Sequence, residues 1–331
     1  MAENNQGTMI PEKGLASPCG LMEDIGLFLE ECRQLGRPPL IVVLGPTASG
    51  KTALSIKIAK AFDGEVVSAD SRQIYKHMDI GTEKVTEAEK EGIPHYLIDV
   101  VSPNEDFSLA EYKRAALKVI GEILRRRKVP ILCGGTGLYI NAIVDNYQIP
   151  HVPPQFDLRQ ELARYCEQHG VLALHDLLKE RDPEAAAKIH PNNVRYVIRA
   201  LEINLSGGDK KREEKGDQMF NVFSVGVDWP REDLYDRINR RVDSQLDRGL
   251  LNEVKTLMMR GYGSDLPSLT SIGYAEIISY LKGETDLQSA LENIKKNTRN
   301  YAKRQLTWFR HNQGVRWITP GDLNQLLMTN Y

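Results

Sequence analysis

Residues 40–52 read LIVVLGPTASGKT. An uncharged apolar run ends there in Gly-x-x-x-x-Gly-Lys-Thr, the pattern of a phosphate-binding loop set between a strand and a helix. Gly45 and Gly50 let the backbone curl so that successive N–H groups point inward at phosphate oxygens, with Pro46, Thr47, Ala48 and Ser49 completing the turn. Lys51 adds a point charge, and Thr52 offers a hydroxyl to a magnesium ion. Leu54, Ile58 and Ala61 recur at helical spacing, so residues 53–61 are predicted to form a helix whose positive end faces the same anion. The loop predicts a bound di- or triphosphate but leaves its ester open.

Three further apolar runs, residues 64–71 (GEVVSADS), 95–100 (HYLIDV) and 129–135 (VPILCGG), read as buried strands, with a helix over 109–127. Strands alternating with helices predict an α/β fold, a parallel sheet with helices on both faces. Ligands of such sheets sit beyond the carboxyl ends of the strands, where Asp70, Asp99 and residues 134–136 fall beside the loop. From Pro150, Pro153 and Pro154 the pattern changes: residues 156–202 read as helices only, and 206–218 as a charged, glycine-bearing mobile linker. Strand character returns at 222–227, residues 228–312 are helical, and 315–318 form a last short strand. The expected organisation is therefore a helical insertion, 150–218, within a sheet domain made of 39–149 and 219–331. An extension, 1–38, precedes it, disordered to residue 18 and then amphipathic and helical through Leu21, Ile25, Phe28, Leu29, Cys32 and Leu35.

Composition narrows the class. The net charge of −2 gives no global footprint for a polyanion, although residues 113–128 hold seven basic residues against one acid and residues 293–310 hold six against none. Four scattered cysteines without a C-x-x-C pair argue against a zinc site or disulfide framework and suit a reducing cytosol. No apolar run approaches the roughly 18 residues of a membrane span, and Glu23 and Asp24 interrupt any signal core.

In the run Asp70–Ser71–Arg72–Gln73 a carboxylate leaves a strand beside the phosphate site, either as an indirect magnesium partner or as a general base next to an electrophile. Arg195, Arg199 and Glu202 share one helical face, as a salt-bridged surface or a phosphate contact. Arg237 and Arg241, four apart, either clamp a second phosphate or pair with Asp233 or Asp236. Lys296, Arg299, Lys303 and Arg310 form a basic stripe, with Tyr301 and Trp308 expected in the core. These residues fit three classes: a transferase acting on a polyanion, an ATP-dependent small-molecule kinase, and a nucleotide switch that binds RNA.

Taken in order, GPTASGKT, SADSRQIYKHMDIGTEK, PHYLIDV, CGGTGLYI, IHPNNVRYVIRALE, LTSIGYAEII and KRQLTWFR resemble the tRNA dimethylallyltransferase family, over residues 40–317. The resemblance implies a nucleotide-kinase-like phosphate-loop core that holds dimethylallyl diphosphate with Mg2+ at Thr52, and a helical insertion that grips the anticodon arm of tRNA. It implies transfer to the exocyclic amine of the adenosine 3′ of the anticodon, with Asp70 as base and Lys51, Thr52 and Arg237 stabilising the departing diphosphate. Contacts to tRNA are implied for Asp70, Ser71, Arg72, Gln73, Thr136 and Arg159. They are implied also for Arg195, Tyr196, Val197, Ile198 and Arg199, and for Thr270, Ser271, Ile272, Gly273, Tyr274 and Ala275. The chain departs from many members at Tyr196 and Ala275, where they carry basic residues. A monomeric, cytoplasmic enzyme is expected.

Overall fold

The computed structural model describes residues 18–149, 152, 155–206, 215–312 and 314–329. These fall into two units, Met1–Val144 with Met219–Tyr331, and Asp145–Gln218. The expected disordered lead, the three prolines at 150, 153 and 154 and most of the expected linker lie outside the described residues.

The larger unit begins with α1 (Pro18–Leu35), β1 (Pro39–Leu44), α2 (Lys51–Ala61), β2 (Gly64–Ser68), the single turn α3 (Glu87–Lys90) and β3 (His95–Tyr96). It continues with α4 (Leu109–Arg125), β4 (Val129–Gly134) and α5 (Gly137–Val144). The second unit holds α6 (Phe156–Arg181), α7 (Pro183–Lys188) and α8 (Val194–Leu205). The chain then returns with β5 (Asn221–Val227), α9 (Arg231–Asp247), α10 (Leu250–Met259), α11 (Tyr274–Leu281), α12 (Leu287–Arg310), β6 (Val315–Ile318) and α13 (Pro320–Met328).

All strands run parallel, in the order β3-β2-β4-β1-β5-β6. The uncharged run of β1 is central because helices cover both its faces. Ile41 and Val43 pack with Val66 and Ile131 against α1, α2 and α13, whereas Leu40, Val42 and Leu44 pack with Val67 and Leu132 against α4, α5 and the end of α12. Burying each such side chain contributes about 1.5–3 kcal/mol. Register sets Leu44 opposite Gly134 and Ser68 opposite Cys133, so β1, β2 and β4 end level and open onto one edge. On α1, Leu21, Ile25, Phe28 and Cys32 dock on this core. Gly36 then takes φ 63°, and the Arg37 amide donates to the Cys32 carbonyl to close the helix.

The run at 95–100 is not a full strand. β3 stops at Tyr96, because Leu97 (φ 61°) and Asp99 (φ 57°) leave extended geometry. There the amides of Asp99 and Val100 donate to the carbonyls of Gln73 and Ile74 instead of a neighbouring strand. Beside the sheet, Val242, Val254, Ile277 and Ile294 of α9–α12 enclose Ile74, Tyr75 and Met78, which fixes the segment after β2.

The regular elements of the second unit's described residues are the helices α6, α7 and α8, and the unit starts at Asp145, ahead of the proline at 150. Gly170 (φ 88°, ψ 166°) breaks α6 in two, and Leu162, Leu174, Leu178, Val197 and Leu201 form the core between its helices.

Candidate active site

Between β1 and α2 the chain turns with positive φ at Gly45 (147°), Ala48 (62°) and Gly50 (89°). Glycine adopts this region freely, but an alanine there costs roughly 1–2 kcal/mol. The neighbours over-determine it. Arg237 on α9 donates from Nε to the Ala48 carbonyl (2.8 Å) with its guanidinium 4.2 Å from the Trp229 ring centroid, and Trp229 Nε1 donates to the Ser49 carbonyl (2.8 Å). Gln305 on α12 braces the other side. Its Oε1 accepts from the Thr47 amide (2.9 Å) and its Nε2 donates to the Gly135 carbonyl (2.8 Å). Such a turn, with carbonyls held from outside, presents the remaining amides as an anion nest.

Two groups in the loop fit an anion. The Ser49 hydroxyl is buried with no partner among the described residues, a state that costs about 1–3 kcal/mol until an acceptor or donor arrives. Among the described residues Lys51 Nζ donates only to the Pro46 carbonyl (3.1 Å). Burial pushes its ammonium below the usual value, with Arg241 acting in the same sense and Asp70 against it. A bound phosphate would oppose this shift.

The loop opens onto a cavity of about 1070 Å³ whose lining includes Lys51, Thr52, Asp70, Arg237, Arg241 and Tyr301. One Asp70 oxygen accepts from the Arg72 amide (2.8 Å), and no hydrogen bond from a described residue reaches the other. A carboxylate and a phosphate loop therefore share one chamber. The neighbours of Asp70 have separate tasks: the Ser71 amide donates to Thr136 Oγ1 (3.0 Å), Arg72 Nη1 to the Pro267 carbonyl (2.8 Å), and Gln73 Nε2 to the carbonyls of Thr82 (3.3 Å) and Glu83 (3.1 Å). Thr270, Ser271, Ile272, Gly273 and Tyr274 line the same cavity, and Ala275 is not part of that lining.

Several expectations are corrected here. Neither Arg237 nor Arg241 pairs with Asp233 or Asp236. Arg241 Nε lies 3.6 Å from Glu83 and the residue lines the cavity, where its charge is felt at Lys51, while Arg237 donates to the loop itself. Tyr301 is not core: it lines the cavity with its hydroxyl at Thr136, and burial together with the Asp70 carboxylate pushes its phenol up to about 12. Trp308 is 43% exposed and lies against Gly137, where a Cβ would stand 2.3 Å from the indole. Asp99 does not reach the cavity lining but accepts from the buried Lys84 ammonium (2.6 Å). In the basic stripe, Arg299 donates to Asn239 and Arg310 pairs with Asp228, while Lys296 and Lys303 remain exposed. The brace Gln305 left a faint trace in the sequence, a polar residue in register with Ala302 and Phe309 on the buried face of α12.

Comparison with known proteins adds the identity of this scaffold. The family model described as IPP transferase matches residues 73–312. Over 290 residues the chain is 48% identical to the tRNA dimethylallyltransferase of Acetivibrio thermocellus, covering 86% of this chain and 93% of that one. The chain belongs to this family. The full-length tRNA isopentenylpyrophosphate transferase of Bacillus halodurans superposes with a TM-score of 0.66 at 44% identity, covering 88% of this chain and 94% of that one. A eukaryotic dimethylallyltransferase caught acting on tRNA gives a TM-score of 0.71 at 29% identity, with 87% and 75% covered.

Family membership directs attention to the residues of the helical unit. Glu202 is fully buried on α8 and accepts from Arg159 Nε (2.8 Å) and Nη2 (2.9 Å), from the Gln155 amide (2.6 Å) and from Arg199. Arg199 also donates to the Val152 carbonyl (3.0 Å). Arg159 and Arg199 thus build the unit's internal ion-pair cluster, and the expected shared face of Arg195, Arg199 and Glu202 divides. Arg195 and Tyr196 are exposed, Ile198 is part-buried, and Val197 is in the core, so its side chain is unavailable for a tRNA contact.

Proposed function

We propose that this prenyltransferase moves a dimethylallyl group from dimethylallyl diphosphate to the exocyclic amine of the adenosine 3′ of the anticodon in tRNA, releasing diphosphate. The observation that carries this reading is the shared chamber, with an anion nest and Lys51 at one wall and the free carboxylate oxygen of Asp70 at another. The adenine amine is a weak nucleophile because its lone pair is delocalised into the ring. As its nitrogen bonds to the allylic carbon, Asp70 takes the amine proton, while the carbon–oxygen bond breaks and its electron pair leaves with the diphosphate. Lys51, the loop amides and the guanidiniums of Arg237 and Arg241 stabilise the charge that grows on the leaving oxygens. To reach the chamber the adenosine must leave its stack.

Magnesium is part of the proposal. The Thr52 side chain lines the cavity at the start of α2, and among the described residues no group of three or more His, Cys, Asp and Glu could hold a metal on its own. That donor set fits an ion that keeps several waters and is held mainly by substrate phosphates, with Thr52 as its protein ligand. When bound it would neutralise charge on the diphosphate. The loop is expected to favour the allylic diphosphate over ATP, and calorimetry with each ligand and magnesium checks this. For tRNA, the candidates are the cavity wall 70–73 and 270–274 with Thr136, and the exposed Arg195 and Tyr196 of the helical unit, with Ile198 and Ala275 peripheral. The proposed enzyme is monomeric and cytoplasmic; Cys32, Cys133 and Cys166 are free thiols, as a reducing compartment keeps them, and among the described residues no helix is long and apolar enough to cross a membrane. The test is incubation of unmodified tRNA with radiolabelled dimethylallyl diphosphate: label on adenosine with release of diphosphate is expected. Release of ADP from ATP without label transfer would move the assignment to a kinase.

A further inference from the structure

Outside the cavity lining, one carboxylate gathers an unusual set of donors. Glu253, in the first turn of α10, accepts with Oε2 from the amides of Asp79 (2.9 Å) and Ile80 (2.7 Å), and with Oε1 from the amide of Gly81 (3.1 Å) and the Tyr274 hydroxyl (2.6 Å). Three consecutive backbone N–H groups and a phenol fill the capacity of an ionised carboxylate, which is acceptor-only. From α9, Gln245 Nε2 donates to the carbonyls of Ile80 (3.0 Å) and Gly81 (3.3 Å), so both polar edges of this turn are taken. Gly81 packs so closely on Tyr274 that a Cβ would stand 2.4 Å from its ring.

The turn joins two walls of the chamber. Past Gly81, the carbonyls of Thr82 and Glu83 accept from Gln73, the last residue of the run that begins at Asp70. Tyr274 closes the wall 270–274. The path from base to opposite wall therefore runs from Gln73 through residues 79–83 to Glu253 and on to Tyr274. Burial and the neighbouring Glu253 push the Tyr274 phenol well above its usual value, which keeps it a neutral donor.

We infer that Glu253 is a positioning residue for prenyl transfer: it sets the distance between the Asp70–Gln73 wall and the 270–274 wall, and so the placement of the incoming adenosine against the base. This rests on the transfer reading above; Glu253 does not itself line the chamber and acts on it through Gly81 and Tyr274, which do. The diphosphate nest is braced separately, by Arg237, Trp229 and Gln305. Loss of Glu253 should therefore separate the two substrates. In Glu253→Gln one oxygen is replaced by an amide donor, so at least one backbone N–H of the turn loses its acceptor and the Tyr274 hydroxyl keeps its contact only by donating to the remaining oxygen or reversing to accept, with little change in shape.

The experiment compares wild type, E253Q, E253D and Y274F for melting temperature, calorimetric affinity for a non-reactive allylic diphosphate analogue, and kcat and KM for tRNA. Misplacement on the 1 Å scale costs up to about 100-fold, so E253Q should lose roughly 10–100-fold in kcat/KM for tRNA while analogue affinity stays within about a factor of two. E253D should regain part of the loss, and Y274F, which leaves the three amide contacts in place, should lose less than E253Q. If E253Q does not fold, Y274F carries the test through the same split. A folded E253Q with wild-type tRNA kinetics would overturn the inference, as would a loss that appears equally in analogue affinity, or a wild-type Y274F where E253Q fails to fold. Absence of transfer by the wild type would instead overturn the proposed function.

Discussion

Replacing Arg199 and Arg195 one at a time should separate architecture from tRNA contact within the helical unit. Arg199 is a third exposed, but the carboxylate it meets has no exposed surface. Arg199→Ala leaves Glu202 with Arg159 and the Gln155 amide, so the charge is under-satisfied rather than orphaned. A hydrogen bond to a charged group contributes about 1.5–3 kcal/mol, and removing one partner of a buried pair costs about 3–5 kcal/mol when nothing remains. With the bidentate Arg159 still in place, about 1–3 kcal/mol is expected. For a domain of this size that corresponds to a melting shift of roughly 4–8 °C per kcal/mol. Arg195 is exposed and has no hydrogen-bond or ion-pair partner among the described residues, so Arg195→Ala should change stability by less than about 0.5 kcal/mol. If it neutralises one tRNA phosphate, the slope of log affinity against log salt should fall by roughly 0.7–0.9. Hydrogen exchange on α6 and α8 of the full chain reads the stability arm, and tRNA binding at several salt concentrations reads the other. Equal destabilisation by both substitutions, or an Arg199→Ala protein of unchanged stability with a reduced salt slope, would refute this division.

Gln305→Leu should leave the Thr47 amide and the Gly135 carbonyl unpaired at about 1–3 kcal/mol each, and should weaken binding of the allylic diphosphate in calorimetry with little effect on tRNA affinity. The pH dependence of the helical unit follows from Glu202. Burial pushes its carboxyl up, but hydrogen bonds from Arg159, the Gln155 amide and Arg199 outweigh this and hold it below its usual value. A depressed folded value gives stabilisation that is present above the unfolded value near about 4.3 and lost as pH falls through the lower folded value. An acid titration followed by hydrogen exchange should show α6 and α8 opening in that window, and Glu202→Gln should flatten the response.

The legible parts of this molecule were those governed by local chemistry. The loop at 45–52 announces itself because a phosphate nest needs glycine at fixed positions, and β1 because a strand covered on both faces excludes charge. The run at 95–100 misleads for the converse reason. Its apolar alternation suits a strand, yet hydrogen bonds from Asp99 and Val100 to Gln73 and Ile74 impose a left-handed turn that no periodicity encodes. Glu253 could not be found at all from spacing, since its amide partners are 172–174 residues away in the chain. Glu202 is visible in the sequence as a charge three residues from Arg199 and seven from Arg195, but only its complete burial tells that Arg199 serves the core. The helical phase of Tyr301 predicts a core position, whereas α12 borders a cavity there rather than packed side chains.

The central claim is that the Asp70 carboxylate takes the amine proton in a chamber whose other wall holds the diphosphate. Single-turnover transfer of labelled dimethylallyl to tRNA, with wild type and Asp70→Asn at saturating substrates, tests it most directly when the binding of both substrates is measured alongside. A general base contributes about 10²–10⁴-fold, so the variant should bind both substrates normally and lose at least about 100-fold in the chemical step. Retention of more than about a third of the wild-type rate by the folded, substrate-saturated variant would contradict the account.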